Sequence, residues 1–213
     1  MPTSVETRRR SVQAARGEIA FDLLLTDAHI VDMATGETRP ADIGIVGELI
    51  ASVHPPGSRH DAHQTHTLSG AWITPGLIDT HVHLESSHLP PARYAEIVVA
   101  QGTTAVFWDP HELANVLGIE GVRYAVESSR NLPLQVMVAA PSSVPSTPGL
   151  ECSGAEFAGK EMRTMLAWDE VRGVAEVMDM HGILHGSERM QEILEAGLRS
   201  GKLIEGHARG LSG

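Results

Sequence analysis

The feature that most constrains this chain is a repeated change of periodicity in its second part, from residue 72 onward. Five apolar runs with the character of β-strands recur there, and helical segments lie between them. The runs are residues 76–83, 103–110, 132–141, 171–179 and 202–207. Strand and helix alternating at roughly 30 residues per unit is typical of a parallel sheet with right-handed crossovers. The alternation fits either a β/α barrel or a doubly wound sheet.

The clearest helical segment is SERMQEILEAGLRSG, residues 187–201. Its apolar side chains recur at intervals of three and four residues, which predicts a helix with one buried face. Ser187 is a suitable N-cap, and Gly201 a suitable C-terminal stop. Further helices are predicted before the second and third strand-like runs, around residues 94–98 and 122–129.

The first part of the chain follows a different pattern. Residues 20–55 alternate between apolar and polar side chains, with turn signals at ATGE and VGE, which predicts a small antiparallel meander. Residues 56–70 are polar and rich in turn formers, so we expect a solvated loop there rather than a metal cluster of its histidines, His60, His63 and His66. Residues 1–19 combine three consecutive arginines with Glu6 and Glu18, which favours a short surface helix over a targeting presequence.

Composition argues against several classes of function. The net charge is −11, so no overall basic field attracts nucleic acid or an anionic membrane. No apolar run approaches the roughly 20 residues that a membrane-spanning helix needs. Cys152 is the single cysteine, which makes an intrachain disulfide impossible and predicts a reducing, cytoplasmic location.

Titratable side chains collect where the strand-like runs end. The first run, in PGLIDTHVHLESSH (75–88), ends with His81 and His83, which would project to one side of a strand roughly 6–7 Å apart. Such a pair is half of a metal site, although alone it is more typical of a polar loop. Three of the other four runs also end in metal-capable groups, and strand ends of this kind share the active-site face of a β/α barrel. The groups are Asp109, His111 and Glu112, then Glu176 and Asp179, then Glu205 and His207.

These motifs resemble a known family. PGLIDTHVHLESS resembles the first-strand signature of the amidohydrolase superfamily, in which a small β domain precedes a metal-binding (β/α)8 barrel. HVHLESS followed by DPHELANVLG is more specific, and is similar to the superfamily members that deaminate adenine. APSSVPSTPGLECSGAEF, GVAEVMD and GHARGLSG agree with that narrower resemblance, as does the opening VQAARGEIAFDLLLTDAHIVDMATGE.

The resemblance implies a fold and a metal centre. The fold is an α/β, amidohydrolase-type (β/α)8 barrel, with residues 1–19 helical, 20–74 forming part of a small β-sandwich-like domain, and 75–213 forming the first part of the barrel. The centre holds two divalent ions, with manganese or iron more usual than zinc. His81 and His83 would hold the first ion, Glu176 would bridge both, and His207 would bind the second.

The implied reaction is hydrolytic loss of the amino group of adenine, giving hypoxanthine and ammonia, as in purine salvage. Glu112 is the candidate proton shuttle, since a carboxyl group among metal ligands can move protons between water and base. Asp109 and His111 are the candidates that orient it or contact the substrate. Capping of the helix that follows is the competing role for Asp109 and Glu112, and capping is expected of Ser86 and Ser87.

The sequence also departs from the family pattern. Barrels of this kind have eight strands, and five are recognisable before residue 213. The later histidine ligand and the aspartate that usually serves as general base are absent. The resemblance therefore implies the N-terminal part of a longer enzyme, inactive alone and a homo-oligomer when full length. An amidohydrolase acting on a cyclic amide (a hydantoin, dihydroorotate or an imidazolone), and a non-enzymatic fragment or subunit, remain alternatives.

Overall fold

The structure is a computed structural model that describes residues 3–209. The chain divides into two compact units, with the boundary between Pro75 and Gly76. The first unit contains one helix and four strands. They are α1 (Val5–Ala15), β1 (Phe21–Asp32), β2 (Glu37–Val46), β3 (Leu49–His54) and β4 (Ala62–Ile73).

The four strands of the first unit form one sheet in the order β3-β2-β1-β4. Strand β2 pairs antiparallel with both β1 and β3, so the predicted meander is confirmed. The loop prediction for residues 56–70 is wrong from residue 62 onward, because β4 pairs in parallel with β1. Backbone hydrogen bonds to a neighbouring strand do not depend on apolar side chains, so a polar run became a strand. The histidines of this segment are solvent-exposed, as expected: His60, His63 and His66.

A small apolar core holds the first unit together. Phe21, Leu24 and Val46 are buried with Ala14 of α1. The Phe21 ring lies directly over Gly44, where an added Cβ would stand 2.4 Å from a ring carbon. Only glycine allows this approach between the two strands.

Over residues 76–209, the second unit is built on five parallel strands. They are β5 (Leu77–Val82), β6 (Thr103–Trp108), β7 (Gln135–Pro141), β8 (Val171–Val177) and β9 (Leu203–Gly206). Their spatial order, β5-β6-β7-β8-β9, is the order of the sequence. A doubly wound sheet reverses its strand order at a switch point, whereas a barrel adds each strand beside the previous one. The second unit is therefore a partial β/α barrel, and all five predicted strands are present.

Helices connect the strands of this partial barrel. They are α2 (Pro91–Ala100), α3 (His111–Leu117), α4 (Ile119–Ser128), α5 (Gly159–Leu166), α6 (Met180–Leu184) and α7 (Glu188–Ser200), with a 3-10 turn at Leu84–Ser87. Helix α7 is the one predicted at residues 187–201. The Ser187 hydroxyl accepts the Met190 amide, and Gly201 ends the helix in the left-handed region. Burial of Met190 and Ile193 in the core contributes about 1.5–3 kcal/mol each.

Within residues 3–209, no helix combines the length and the apolar character that crossing a lipid bilayer requires.

Candidate metal centre

His81 and His83 face each other at the carboxyl end of β5. Their Nε2 atoms are 3.2 Å apart. The Nδ1 atom of His83 lies 2.9 Å from the backbone carbonyl oxygen of Asp109, and that of His81 lies 3.0 Å from a carboxylate oxygen of Glu205. Because these oxygens accept hydrogen bonds, each Nδ1 donates to one of them, which leaves each Nε2 as the ring atom available to a cation.

Glu176, on β8, completes this arrangement. Its Oε2 atom lies 3.4 Å from His81 Nε2 and 3.7 Å from His83 Nε2. Its other oxygen, Oε1, contacts His207 Nε2. One carboxylate thus faces the histidine pair with one oxygen and His207 with the other. The structure brings together all four residues that the family resemblance assigned to the metals.

The donor set fits a divalent cation. Two imidazole nitrogens and a carboxylate oxygen converge, and imidazole and carboxylate groups are ligands that divalent transition metals accept. His81, His83, Asp109 and Glu176 offer ligand atoms that all lie within 4.8 Å of one another. The contacts of both Nδ1 atoms orient the rings, as is usual for histidines that bind a metal. Glu205 was placed on this face by the sequence but was given no role.

Asp109 is completely buried behind the centre. Its Oδ2 atom accepts the backbone N–H of Glu176 at 3.1 Å. Its Oδ1 atom has no hydrogen-bond partner among the residues described. The capping alternative for Asp109 is wrong, because the N-cap of α3 is Pro110 and no side chain caps that helix.

A second group of titratable side chains adjoins the first. His83, His111 and Glu112 offer ligand atoms within 4.8 Å of one another. The Nδ1 atom of His111 lies 3.5 Å from Asp109 Oδ2, and the proximity of that carboxylate raises the pKa of His111. Burial lowers the pKa of His81, but the carboxylates of Glu205 and Glu176 outweigh it and raise that pKa.

Ser86 and Ser87 do not cap a helix, so that prediction is wrong. Ser86 donates to Glu112 Oε1 at 3.0 Å, and Ser87 donates to the carbonyl of Leu84 at 2.6 Å. Helix α2 starts after Pro90 without a side-chain cap. Pro91, its first residue, has no N–H to satisfy, so the start of this helix needs one hydrogen bond fewer.

Glu85 is a site residue that the sequence reasoning missed. Burial raises its pKa to about 7, and the Trp108 indole N–H donates to its carboxyl group. Burial would also raise the pKa of Glu112, but the hydrogen bond with Glu85 and the nearby charge of His111 lower it. Of two neighbouring carboxyl groups one is protonated more readily than the other, and here that group is Glu85. The available signal was the position of Glu85, two residues beyond His83.

Ser142 and Ser143, which directly follow β7, were also missed. Both hydroxyls donate to the backbone carbonyl of Glu176, at 2.8 and 2.6 Å. The third strand-like run ends without a titratable group, so the search for such groups passed over it. Residues 210–213, which close the GHARGLSG motif, lie outside the described part of the chain.

Sequential parallel β/α units, with a histidine pair at the end of the first strand and a carboxylate on the fourth, are the arrangement that the resemblance to metal-dependent amidohydrolases predicts. The chain belongs to the amidohydrolase family, whose sequence model matches residues 72–213. This confirms the resemblance carried by the motifs, with a divalent metal centre as its cofactor.

Within that family the chain is similar to adenine deaminases. It is 79% identical over 213 residues to the adenine deaminase of Klebsiella pneumoniae (strain 342), and 56% identical over 206 residues to adenine deaminase 2 of Rhizobium meliloti (strain 1021). These matches cover 100% and 97% of this chain, which spans 35% of the length of each relative. Among solved structures, an L-hydantoinase (dihydropyrimidinase) from Arthrobacter aurescens matches with a TM-score of 0.60 at 18% identity. That match covers 88% of this chain and 40% of the other, and supports the fold alone.

Proposed function

We propose that this chain is the N-terminal part of an adenine deaminase, which hydrolyses adenine to hypoxanthine and ammonia. The observation that carries the proposal is the 79% identity to the Klebsiella adenine deaminase, which extends over all 213 residues. The site geometry supports it, because a cation-binding set of histidines and a carboxylate lies at the carboxyl ends of the barrel strands.

We propose a binuclear centre in which His81 and His83 hold one ion, His207 holds the other, and Glu176 bridges them. The two oxygens of Glu176 support this assignment, since each faces a different imidazole group. Imidazole and carboxylate ligands suit manganese or iron, and also accept zinc. The metals would supply Lewis acidity and a water of lowered pKa.

The neighbouring carboxyl groups would carry out the proton transfers of the reaction. Deamination at C6 needs a proton on the purine ring and another on the departing amine, and we propose Glu112 as the shuttle. Glu112 lies 3.7 Å from His83 and beside Glu85, whose pKa of about 7 lets it supply protons to Glu112 at neutral pH. We assign Asp109 and His111 to orienting this group, since Asp109 is too deeply buried to contact a substrate.

The similarity to adenine deaminases also suggests the domain division, location and oligomeric state of the full-length protein. We propose that residues 1–19 and 20–74 form a helical segment and part of a β-sandwich-like domain, and that residues 75–213 begin the catalytic barrel. The five parallel strands and the 35% coverage of the relatives support this division. We also propose a cytoplasmic homo-oligomer that serves purine salvage, with adenine as its small-molecule partner.

The test is an assay of the full-length protein with Mn²⁺ or Fe²⁺. Ammonia release from adenine is compared with hydrolysis of a hydantoin, dihydroorotate and an imidazolone. We expect turnover of adenine, and we expect His83→Ala to lose most bound metal and nearly all activity. His63→Ala, which removes an exposed histidine, should change neither. Preference for a cyclic amide, or full activity of His83→Ala, would contradict the proposal.

A further inference from the structure

The backbone of Glu176 is held from both sides by polar side chains. Its N–H donates to Asp109 Oδ2, and its carbonyl accepts from the hydroxyls of both Ser142 and Ser143. A carbonyl oxygen has two lone pairs, so the two hydroxyls occupy its full accepting capacity. Strand β8 has a register irregularity between Val174 and Val177 where it pairs with β9, and Glu176 lies inside it.

The three side chains involved are the buried polar side chains of the second unit. Among residues 76–209, the polar side chains classed as buried are Asp109, Ser142 and Ser143, with exposures of 0%, 2% and 3%. Burial of a polar group is costly unless it is hydrogen-bonded, and here all three bind the main chain of a single residue. All three buried polar side chains thus serve Glu176, the residue whose carboxylate faces both imidazole groups.

A fourth residue fixes the segment that carries the serines. Arg189, on α7, donates through Nη2 to the carbonyls of Ser142, Val144 and Pro145, at 2.9, 3.2 and 3.1 Å. Its Nε donates to the carbonyl of Phe157 at 2.8 Å. One guanidinium thus ties both ends of the loop between β7 and α5, so the serine hydroxyls cannot easily turn away from β8.

We propose that Ser142 and Ser143 are positioning residues, which act with Asp109 to fix the backbone of Glu176 and so aim its carboxylate between two cations. The inference rests on the proposed metal-dependent function. A glutamate side chain has three rotatable bonds, and fixing its main chain sets the direction from which those bonds start. Without these hydrogen bonds to its main chain, the Glu176 carboxylate would not keep its two oxygens directed at separate ligands.

The test uses the full-length protein and a Ser142→Ala, Ser143→Ala double variant beside the two single variants. We expect the double variant to bind Mn²⁺ about 10- to 100-fold more weakly and to lose kcat to a similar degree, with KM little changed. The electron paramagnetic resonance signal of a coupled manganese pair should weaken in parallel. Each single variant leaves one hydroxyl on the carbonyl, so the two losses should not be additive.

The control is Ser153→Ala, in the same loop. Its hydroxyl donates to Ala155 and Asn115 but not to Glu176, so its removal should leave metal affinity and the manganese signal unchanged. Equal loss in the control would show that loop integrity alone matters, and would overturn the proposal. Unchanged Mn²⁺ affinity in the double variant, with an unchanged signal, would also overturn it. Metal binding is measured without substrate. A wild-type protein that binds metal but does not hydrolyse adenine would therefore refute only the proposed activity.

Discussion

Glu112 is one of two neighbouring carboxyl groups beside the metal centre whose pKa values are shifted in opposite directions. Its neighbour Glu85 is the more readily protonated of the two, since burial raises the pKa of Glu85 to about 7, so that it is about half protonated at neutral pH. Because of this difference in pKa, Glu112 is an ionised proton acceptor and has a proton donor, Glu85, beside it. Such a pair suits a group that moves protons.

We therefore expect Glu112→Gln in the full-length protein to keep its fold and its metal while losing turnover about 10²- to 10⁴-fold. The amide keeps the size of the side chain and its contact with Ser86 but cannot carry a proton between groups. The measurement is kcat, metal content and melting temperature on one preparation. Normal kcat at full metal occupancy would remove Glu112 from the reaction and leave it a structural role.

His54 links the stability of the first unit to pH. It is buried, its ring stacks on Phe21 at 5.8 Å, and its Nε2 has no hydrogen-bond partner among the residues described. Burial lowers the pKa of His54 below its ordinary value of 6.5. The unfolded chain then binds a proton at His54 more readily than the folded chain does. The free energy of unfolding is therefore highest above about pH 6.5 and decreases as the pH falls through the folded-state pKa of His54.

His54→Phe should consequently lose less stability than the wild type between pH 7.5 and pH 5, since phenylalanine keeps the stacking and cannot be protonated. The measurement is the melting temperature of both proteins across this range. His60→Phe, at an exposed position, should follow the wild-type pH dependence. If His54→Phe follows it too, the buried imidazole is not the group responsible.

At the scale of elements, α7 and the loop after β7 depend on one another through Arg189. The four carbonyls that this guanidinium binds belong to a largely buried segment, and a buried carbonyl without a partner costs about 1–3 kcal/mol. Arg189→Lys should lower the unfolding free energy by about that amount, because a single ammonium cannot reach all four oxygens.

The measurement for this substitution is urea denaturation of the full-length protein. Arg199→Lys provides the control on the same helix, since Arg199 forms an exposed ion pair with Glu195 that contributes at most about 0.5 kcal/mol. Similar midpoints for Arg189→Lys and Arg199→Lys would mean that the loop is held by its apolar contacts instead.

At the scale of the whole molecule, the metal centre joins strands that are distant in sequence. Its groups come from β5, β8 and the ends of β6 and β9, so bound cations stabilise the folded barrel and not the unfolded chain. Removing the metal with a chelator should lower the melting temperature. Metal present at 100 times its dissociation constant contributes about 2.7 kcal/mol.

Adding Mn²⁺ back should restore the melting temperature of the wild type. His83→Ala should show little response to chelator or to added metal, which separates site binding from general salt effects. A wild-type melting temperature that ignores both treatments would show that the cations contribute nothing to the stability of the fold.

The sequence by itself determined the parallel strand–helix units, helix α7 and the collection of titratable groups at the ends of the strands. These features follow from periodicity, from helix-capping residues and from the rule that parallel strands end on one face, all of which are local or topological. His81, His83, Glu176 and His207 belong to this collection because each lies at or near the end of a recognisable strand, and the family resemblance is what singled them out as metal ligands.

Only the tertiary structure decided which groups become partners across the fold. It made the polar segment at residues 62–73 a strand, because the free edge of β1 was available for pairing. It placed Glu85 against Glu112, and it placed both serines after β7 on the carbonyl of Glu176. Burial and hydrogen bonding of this kind depend on residues far apart in the chain, and no local pattern records which distant group a side chain will meet.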